Sequence, residues 1–212
     1  MGNEPHGLTV WPQPGRYSLG HTGNMRSPRR PTLHCPRARR RARGGFLNSL
    51  REVFGLLNHL RSGRVIEDYA IGGAMAALFY AEPARTYDVD VFVVLPASPE
   101  STLRPLGALY SWLEQQGFRL DAEHVLIHGV AVRFLPAFNP LVEEALRDAR
   151  VLEYDGVPVR VVGPEHLCAL AIQAGGRKRR ERAWQLLESG TVDRQRLLDV
   201  LQRHGLPGEE FV

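Results

Sequence analysis

The chain has 212 residues, 43% of them hydrophobic and 24% charged, with a net charge of +4 and two cysteines. That apolar content suffices for the core of one domain, with or without a small helical appendage. No apolar run approaches the about eighteen residues of a membrane helix, and the first residues lack the apolar segment of a secretory leader. Cys35 and Cys168 fall in stretches of different composition, which implies neither a disulfide framework nor a zinc site and fits a reducing cytoplasm.

Charge divides the chain. Residues 1–43 hold nine Arg and one acid, a net of +8, whereas the rest holds eighteen Lys plus Arg against twenty-two acids, a net of −4. The first stretch is rich in Pro, Gly and Arg without hydrophobic periodicity, so it is expected to be a disordered arm. Arg37, Arg39, Arg40, Arg41 and Arg43 would track a nucleic-acid backbone by charge alone, or form an ordinary solvated tail.

After Gly44-Gly45, Phe46, Leu47, Leu50, Val53, Phe54, Leu57 and Leu60 recur at helical spacing, and Gly63 ends the pattern. A short strand at Tyr69–Ile71 leads into Gly72-Gly73, a helix over Ala74–Ala81, a stop at Glu82-Pro83, and the run Asp88-Val89-Asp90-Val91-Phe92-Val93-Val94-Leu95. That run reads as a strand buried on both faces with two aspartates at its rim. Residues two apart on a strand point the same way, roughly 6.6 Å apart. At an effective dielectric of about 20, two like charges at that separation repel by about 2.5 kcal/mol. A fold that keeps such a pair there does so for a cation, and oxygen-only donors select Mg²⁺ or Mn²⁺. The glycine pair is either a plain strand-to-helix turn or the mouth of an anion pocket at the helix N-terminus, where a phosphate can approach the backbone.

Further on, Leu103, Leu106, Tyr110 and Leu113 mark a helix closed by Gly117, and Glu123–His128 and Val130–Leu135 two strands joined near Gly129. His124 and His128 would share one strand face; lacking a third ligand, they read as strand histidines rather than a metal site. Pro140–Ala149 is a helix, and residues 150–162 a hairpin turning at Asp155-Gly156. The last third is helical over Glu165–Ala174, Arg179–Glu188 and Val192–His204, with a basic cluster of Arg177, Lys178, Arg179, Arg180 and Arg182. Lys178 is the sole lysine of the chain. The cluster is either a solvated basic face or a clamp for a triphosphate or an acceptor's backbone.

Gly-Gly-Ala-Met-Ala-Ala-Leu-Phe followed by Arg-Thr-Tyr-Asp-Val-Asp resembles the signature of the DNA polymerase β-like nucleotidyltransferase superfamily. The closer resemblance is to its AbiEii-like branch, related to abortive-infection toxins, in which an Arg and a Thr or Ser precede the aspartates as Arg85 and Thr86 do. It covers roughly residues 46–206. The implied fold is an α/β (α+β type) nucleotidyltransferase-like mixed sheet flanked by helices over 44–163, with a C-terminal helical segment over 164–212. The implied activity is Mg²⁺-dependent transfer of a nucleoside monophosphate from an NTP to a hydroxyl of RNA or a small molecule. Asp88 and Asp90 would hold the metal; Gly72, Gly73, Arg85, Thr86, Arg133 and Arg180 would meet the nucleotide and its phosphates; Lys178 would join the catalytic group. Catalytic members add a third carboxylate on a neighbouring strand, where this chain has Arg133, and an Asp after the Lys, where it has Arg179. Asp121 and Glu123 are fallback acids that the sequence does not place near the pair. These departures keep open a silent nucleotide- or RNA-binding member, or one component of a toxin-antitoxin-type pair with a cognate antitoxin or other partner protein.

Overall fold

The computed structural model describes residues 38–81, 86, 88–97 and 106–208, with side chains from residue 49 onward. The expected arm up to residue 37, Arg85, Glu82-Pro83 and the start of the helix expected from Leu103 lie outside the described residues.

Helix α1 (Ala38–Ser62) reaches back through Gly44-Gly45 into the arginine cluster. A helix anchored by a packed stripe propagates cheaply through Ala and Arg, both strong helix formers. That stripe is the expected one: Leu50, Val53, Phe54, Leu57 and Leu60 are all buried. Seven strands follow, β1 (Asp68–Ile71), β2 (Asp88–Val94), β3 (Arg119–Asp121), β4 (His124–Ile127), β5 (Val130–Pro136), β6 (Arg150–Tyr154) and β7 (Val157–Val161). They form one mixed sheet in the order β3-β4-β5-β2-β1-β7-β6. The central pair β2 and β5 is parallel, as are β1 and β7, and the other neighbours are antiparallel. Helices α2 (Gly73–Ala77), α3 (Gly107–Gln115), α4 (Pro140–Arg147), α5 (Pro164–Ala174), α6 (Arg177–Glu188) and α7 (Arg194–Arg203) complete the described residues. α1 packs on β1, β5 and β7; α4 packs on β1 and β2; α5 gathers α2, α4, α6 and α7 around itself. The expected mixed α/β architecture with a C-terminal helical segment is present.

Four local features differ from expectation. α2 is only five residues long, because from Leu78 the amides turn to carbonyls three residues back, Leu78 to Met75, Phe79 to Ala76 and Tyr80 to Ala77, the tighter 3₁₀ pattern. β3 adds a strand that the sequence pattern did not announce, paired with β4 across a turn where Ala122 has φ 53°. β4 stops at Ile127, and His128 (φ 49°) and Gly129 (φ 80°) form the left-handed pair of a two-residue hairpin turn. His128 therefore leaves the strand face it was expected to share with His124, and its Nδ1 sits 3.3 Å from Glu52 Oε2 on α1. Finally, α6 starts two residues early, after Gly175 (φ 65°) and Gly176 (φ 83°), so the whole basic cluster lies on its first turns.

Polar ties lock α1 to the sheet. The Tyr69 hydroxyl donates to Asn58 Oδ1 at 2.7 Å, and Asn58 Nδ2 donates to the Pro158 carbonyl at 2.8 Å. Arg160 donates to the Tyr69 and Leu146 carbonyls at 3.1 and 2.8 Å, which satisfies a half-buried guanidinium between β1 and α4.

Candidate functional site

β2 sets the site. Val89, Val91 and Val93 are fully buried while Asp88 and Asp90 alternate with them, half-buried on the opposite face. The antiparallel ladder between β1 and β2 runs on past Ile71, so the Gly72 amide donates to the Asp90 carbonyl at 2.8 Å. This delivers the glycine pair to the same face as the aspartates.

The two glycines are required for different reasons. A side chain at Gly72 would run into the Phe92 ring, with Cδ2 2.9 Å from the added carbon. Gly73 has φ +59°, and an added carbon there would collide with Asp90 Oδ2 and lie 3.1 Å from Asp90 Cγ. One oxygen of Asp90 is thus set against bare backbone at the start of α2. Five residues make a weak dipole, and the space left by the missing side chains is taken by the Phe92 ring and the Asp90 carboxylate.

The other oxygen of Asp90 belongs to Arg133. The parallel register sets Asp90 opposite Arg133. Nε and Nη2 both donate to Oδ1, at 2.9 and 2.7 Å. Nη1 extends the other way to Glu123 Oε2 at 3.4 Å. Arg133 therefore spans two acids, and Glu123, which sequence alone left unplaced, reaches the site through it. Burial works against the charged guanidinium, but the Asp90 and Glu123 carboxylates outweigh it and raise the Arg133 pKa. Asp121 ends β3, paired in register with His124, and Glu123 lies in the turn between them.

Asp88 is oriented locally. The Thr86 hydroxyl lies 2.9 Å from Asp88 Oδ1 and 3.1 Å from its carbonyl, so it donates toward both. Of the residues expected to meet the nucleotide, Gly72, Gly73, Thr86 and Arg133 are gathered around the two aspartates.

The basic cluster arrives through α6, which packs against α2. Lys178 and Arg180 are exposed on its first turns. Arg182 is the half-buried member, close enough to Asp90 and Asp88 to feel both charges. Burial is the largest influence and lowers its pKa; the neighbouring Arg179 lowers it further, and the two aspartates act in the opposite sense. Sequence reasoning counted Arg182 in the cluster but gave the role to Lys178 and Arg180. A signal was available: Arg182 stands one turn before Leu186, beside the buried stripe of Ala183, Leu186 and Leu187.

Chemically, Asp88 and Asp90 present oxygen donors suited to a hard cation. Arg133 already places one positive charge on Asp90, so the residues fit a single divalent ion better than a pair.

No family model matches this chain, and no curated protein matches it. Among solved structures, the chain is similar to a solution structure of the antibiotic-resistance factor ANT(2'')-Ia, with 16% identity, 75% of this chain and 90% of that one covered, and a TM-score of 0.46. It is also similar to a crystal structure of an antigenic nucleotidyltransferase-like protein from Paracoccidioides brasiliensis, with 18% identity, 74% and 87% covered, and a TM-score of 0.49. A crystal structure of ANT(2'')-Ia in complex with adenylyl-2''-tobramycin gives 15% identity, 74% and 95% covered, and a TM-score of 0.44. These likenesses are distant, every TM-score lying below 0.5.

Proposed function

We propose that this chain is a nucleotidyltransferase-like protein that binds an NTP at the Asp88, Asp90 and Gly73 face and transfers its nucleoside monophosphate to a hydroxyl of RNA or a small molecule. The observation that carries the reading is the seating of Asp90 between Arg133 on one oxygen and the bare backbone of Gly73 on the other. Phosphate groups would approach beside Gly72 and Gly73, next to the Phe92 ring and the Asp90 carboxylate, drawn by the ion held on the aspartates. Arg182, with Lys178 and Arg180 from the exposed side of α6, would neutralise their charge, and Thr86 would keep the Asp88 carboxylate aimed. Arg85, next to Thr86 in sequence, would join the nucleotide contacts. Asp88 and Asp90 would hold one Mg²⁺ or Mn²⁺, which when bound screens the charge of the phosphates. With so little covalent work for the protein, its contribution is positioning and electrostatic stabilisation.

A second reading is favoured by one observation: Arg133 occupies the strand position from which a third acid would face the pair, and pairs with Asp90 instead. On that reading the site binds nucleotide without transferring it, alone or within a toxin-antitoxin-type pair of the AbiEii-like kind.

One experiment separates them. Each labelled NTP is supplied with Mg²⁺ and a pool of cellular RNA or of small hydroxyl compounds, using wild type and Asp88→Asn. Incorporation by wild type that the variant loses supports transfer. Equal background with all four nucleotides, combined with thermal stabilisation by NTP, supports binding alone; no stabilisation by any NTP sinks both.

A further inference from the structure

A second convergence of ligating side chains lies where α4, α5 and the end of α7 meet, built from none of the residues discussed so far. Glu144 of α4 is buried at 8% exposure. Its Oε1 lies 3.1 Å from His166 Nε2 of α5, and its Oε2 lies 2.7 Å from His204 Nε2 just past α7. Asp148, one turn beyond Glu144, brings Oδ2 to 4.0 Å from His166 Nε2. Ligand atoms of Glu144, Asp148 and His166 all fall within 4.8 Å of one another. Arg203 Nη2 also donates to Glu144 Oε1, at 2.6 Å.

Two imidazoles donating to one buried carboxylate would by themselves be a structural knot. Two observations exceed that. Asp148 adds a third ligand atom beside the Glu144–His166 pair, and a cavity of about 230 Å³ lined in part by Asp148, His166 and Arg203 opens onto the group as an entry path. In a tetrahedral zinc site with bonds of about 2.0–2.1 Å, ligand atoms stand about 3.3–3.4 Å apart. The separations of 3.1 Å from His166 to Glu144 Oε1 and 4.0 Å from His166 to Asp148 lie either side of that value.

We propose that Glu144, Asp148 and His166 form a binding site for a zinc-type divalent transition ion at the seam of α4 and α5, with His204 supporting it through the second oxygen of Glu144. An imidazole nitrogen beside two carboxylates favours Zn²⁺, Co²⁺ or Ni²⁺ over Mg²⁺, with water completing the ion's shell. A zinc site thus emerges without either cysteine. Arg203 holds the cation position in the metal-free chain. Its side chain is 54% exposed, and Asp199 lies one turn earlier on its own helix to receive it when an ion displaces it. His166 would present its Nε2 lone pair to the ion with the ring proton on Nδ1. On Oε1 the Glu144 carboxylate would exchange Arg203 and His166 for the metal, and on Oε2 it would keep His204.

The test titrates Co²⁺ into the full chain after chelator treatment, in an Asp88→Asn/Asp90→Asn background that silences the first site. The expected result is one equivalent with the intense visible absorption of a tetrahedral ion, displaced by Zn²⁺ and not by Mg²⁺. Asp148→Asn, at a half-exposed position, and His204→Gln should each weaken it at least tenfold, about the smallest loss known even for supporting residues. Arg203→Met, which removes the competing cation, should tighten it. No tetrahedral spectrum at one equivalent, binding unaffected by Asp148→Asn, or binding that Arg203→Met leaves unchanged or weakens would each overturn the site. If His204→Gln does not fold, the opposite-signed Arg203→Met result still decides.

Discussion

Arg133 and Asp90 face each other across the central parallel strands β2 and β5, and the guanidinium gives both Nε and Nη2 to a single carboxylate oxygen, Oδ1, at 2.9 and 2.7 Å. The pair fixes how much negative charge the candidate site has left for a cation. With Oδ1 satisfied, only Oδ2 of Asp90 faces the Gly73 side.

Replacing Arg133 by Met should therefore do two opposite things. Asp90 loses its partner while remaining largely buried, which should cost about 1–3 kcal/mol of stability. The freed oxygen should raise Mn²⁺ affinity several-fold, read by electron paramagnetic resonance. Unchanged or weaker Mn²⁺ binding in a folded variant would show that the aspartates do not hold the ion.

Gly73→Ala should destabilise the fold more than Gly117→Ala, although both positions have positive φ. The left-handed backbone costs each about 1–2 kcal/mol. Only at Gly73 does the new methyl also meet Asp90; nothing surrounds Gly117 within 4 Å. Urea unfolding of both variants, and of Gly73→Ala with Asp90→Ala, measures the coupling. The double variant should recover part of the loss, and strictly additive losses would deny the contact.

Arg182→Ala should weaken NTP binding at least tenfold and more than Lys178→Ala. Arg182 is half-buried beside Asp88 and Asp90 whereas Lys178 is exposed to water, where a single charge is screened. Calorimetric titration with a non-hydrolysable NTP decides the ranking; a larger effect at Lys178 would return the phosphate role to the lysine.

Stability should fall steeply in acid because of Glu144. The Arg203 hydrogen bond, against the effect of burial and helped by His204 and His166, lowers the Glu144 pKa from 4.5 to about 2. A carboxylate whose folded pKa is depressed stabilises the fold above its unfolded pKa. That contribution is lost as pH drops from about 4.5 toward about 2. Wild type should show a steeper loss of unfolding free energy over that window than Glu144→Gln, and parallel curves would refute the assignment.

The amino-acid sequence determined the parts that follow from local periodicity and turn chemistry. The α1 stripe, the Asp88 strand, the Asp155-Gly156 hairpin (φ 48° and 76°) and the helices of the last third are legible because burial and left-handed turns leave a mark residue by residue. It also placed Gly72, Gly73, Asp88 and Asp90 in one strand-helix-strand unit, since neighbours in sequence stay neighbours in space. The tertiary structure alone decided which distant side chains join them. Glu123 comes in through Arg133 because β4 and β5 are adjacent, and Arg182 rather than Lys178 is half-buried near the aspartates because α6 packs on α2. Glu144 meets His204 across sixty residues for the same reason. Sheet order and helix docking are set by the burial of whole faces, a sum over many residues that no short stretch encodes.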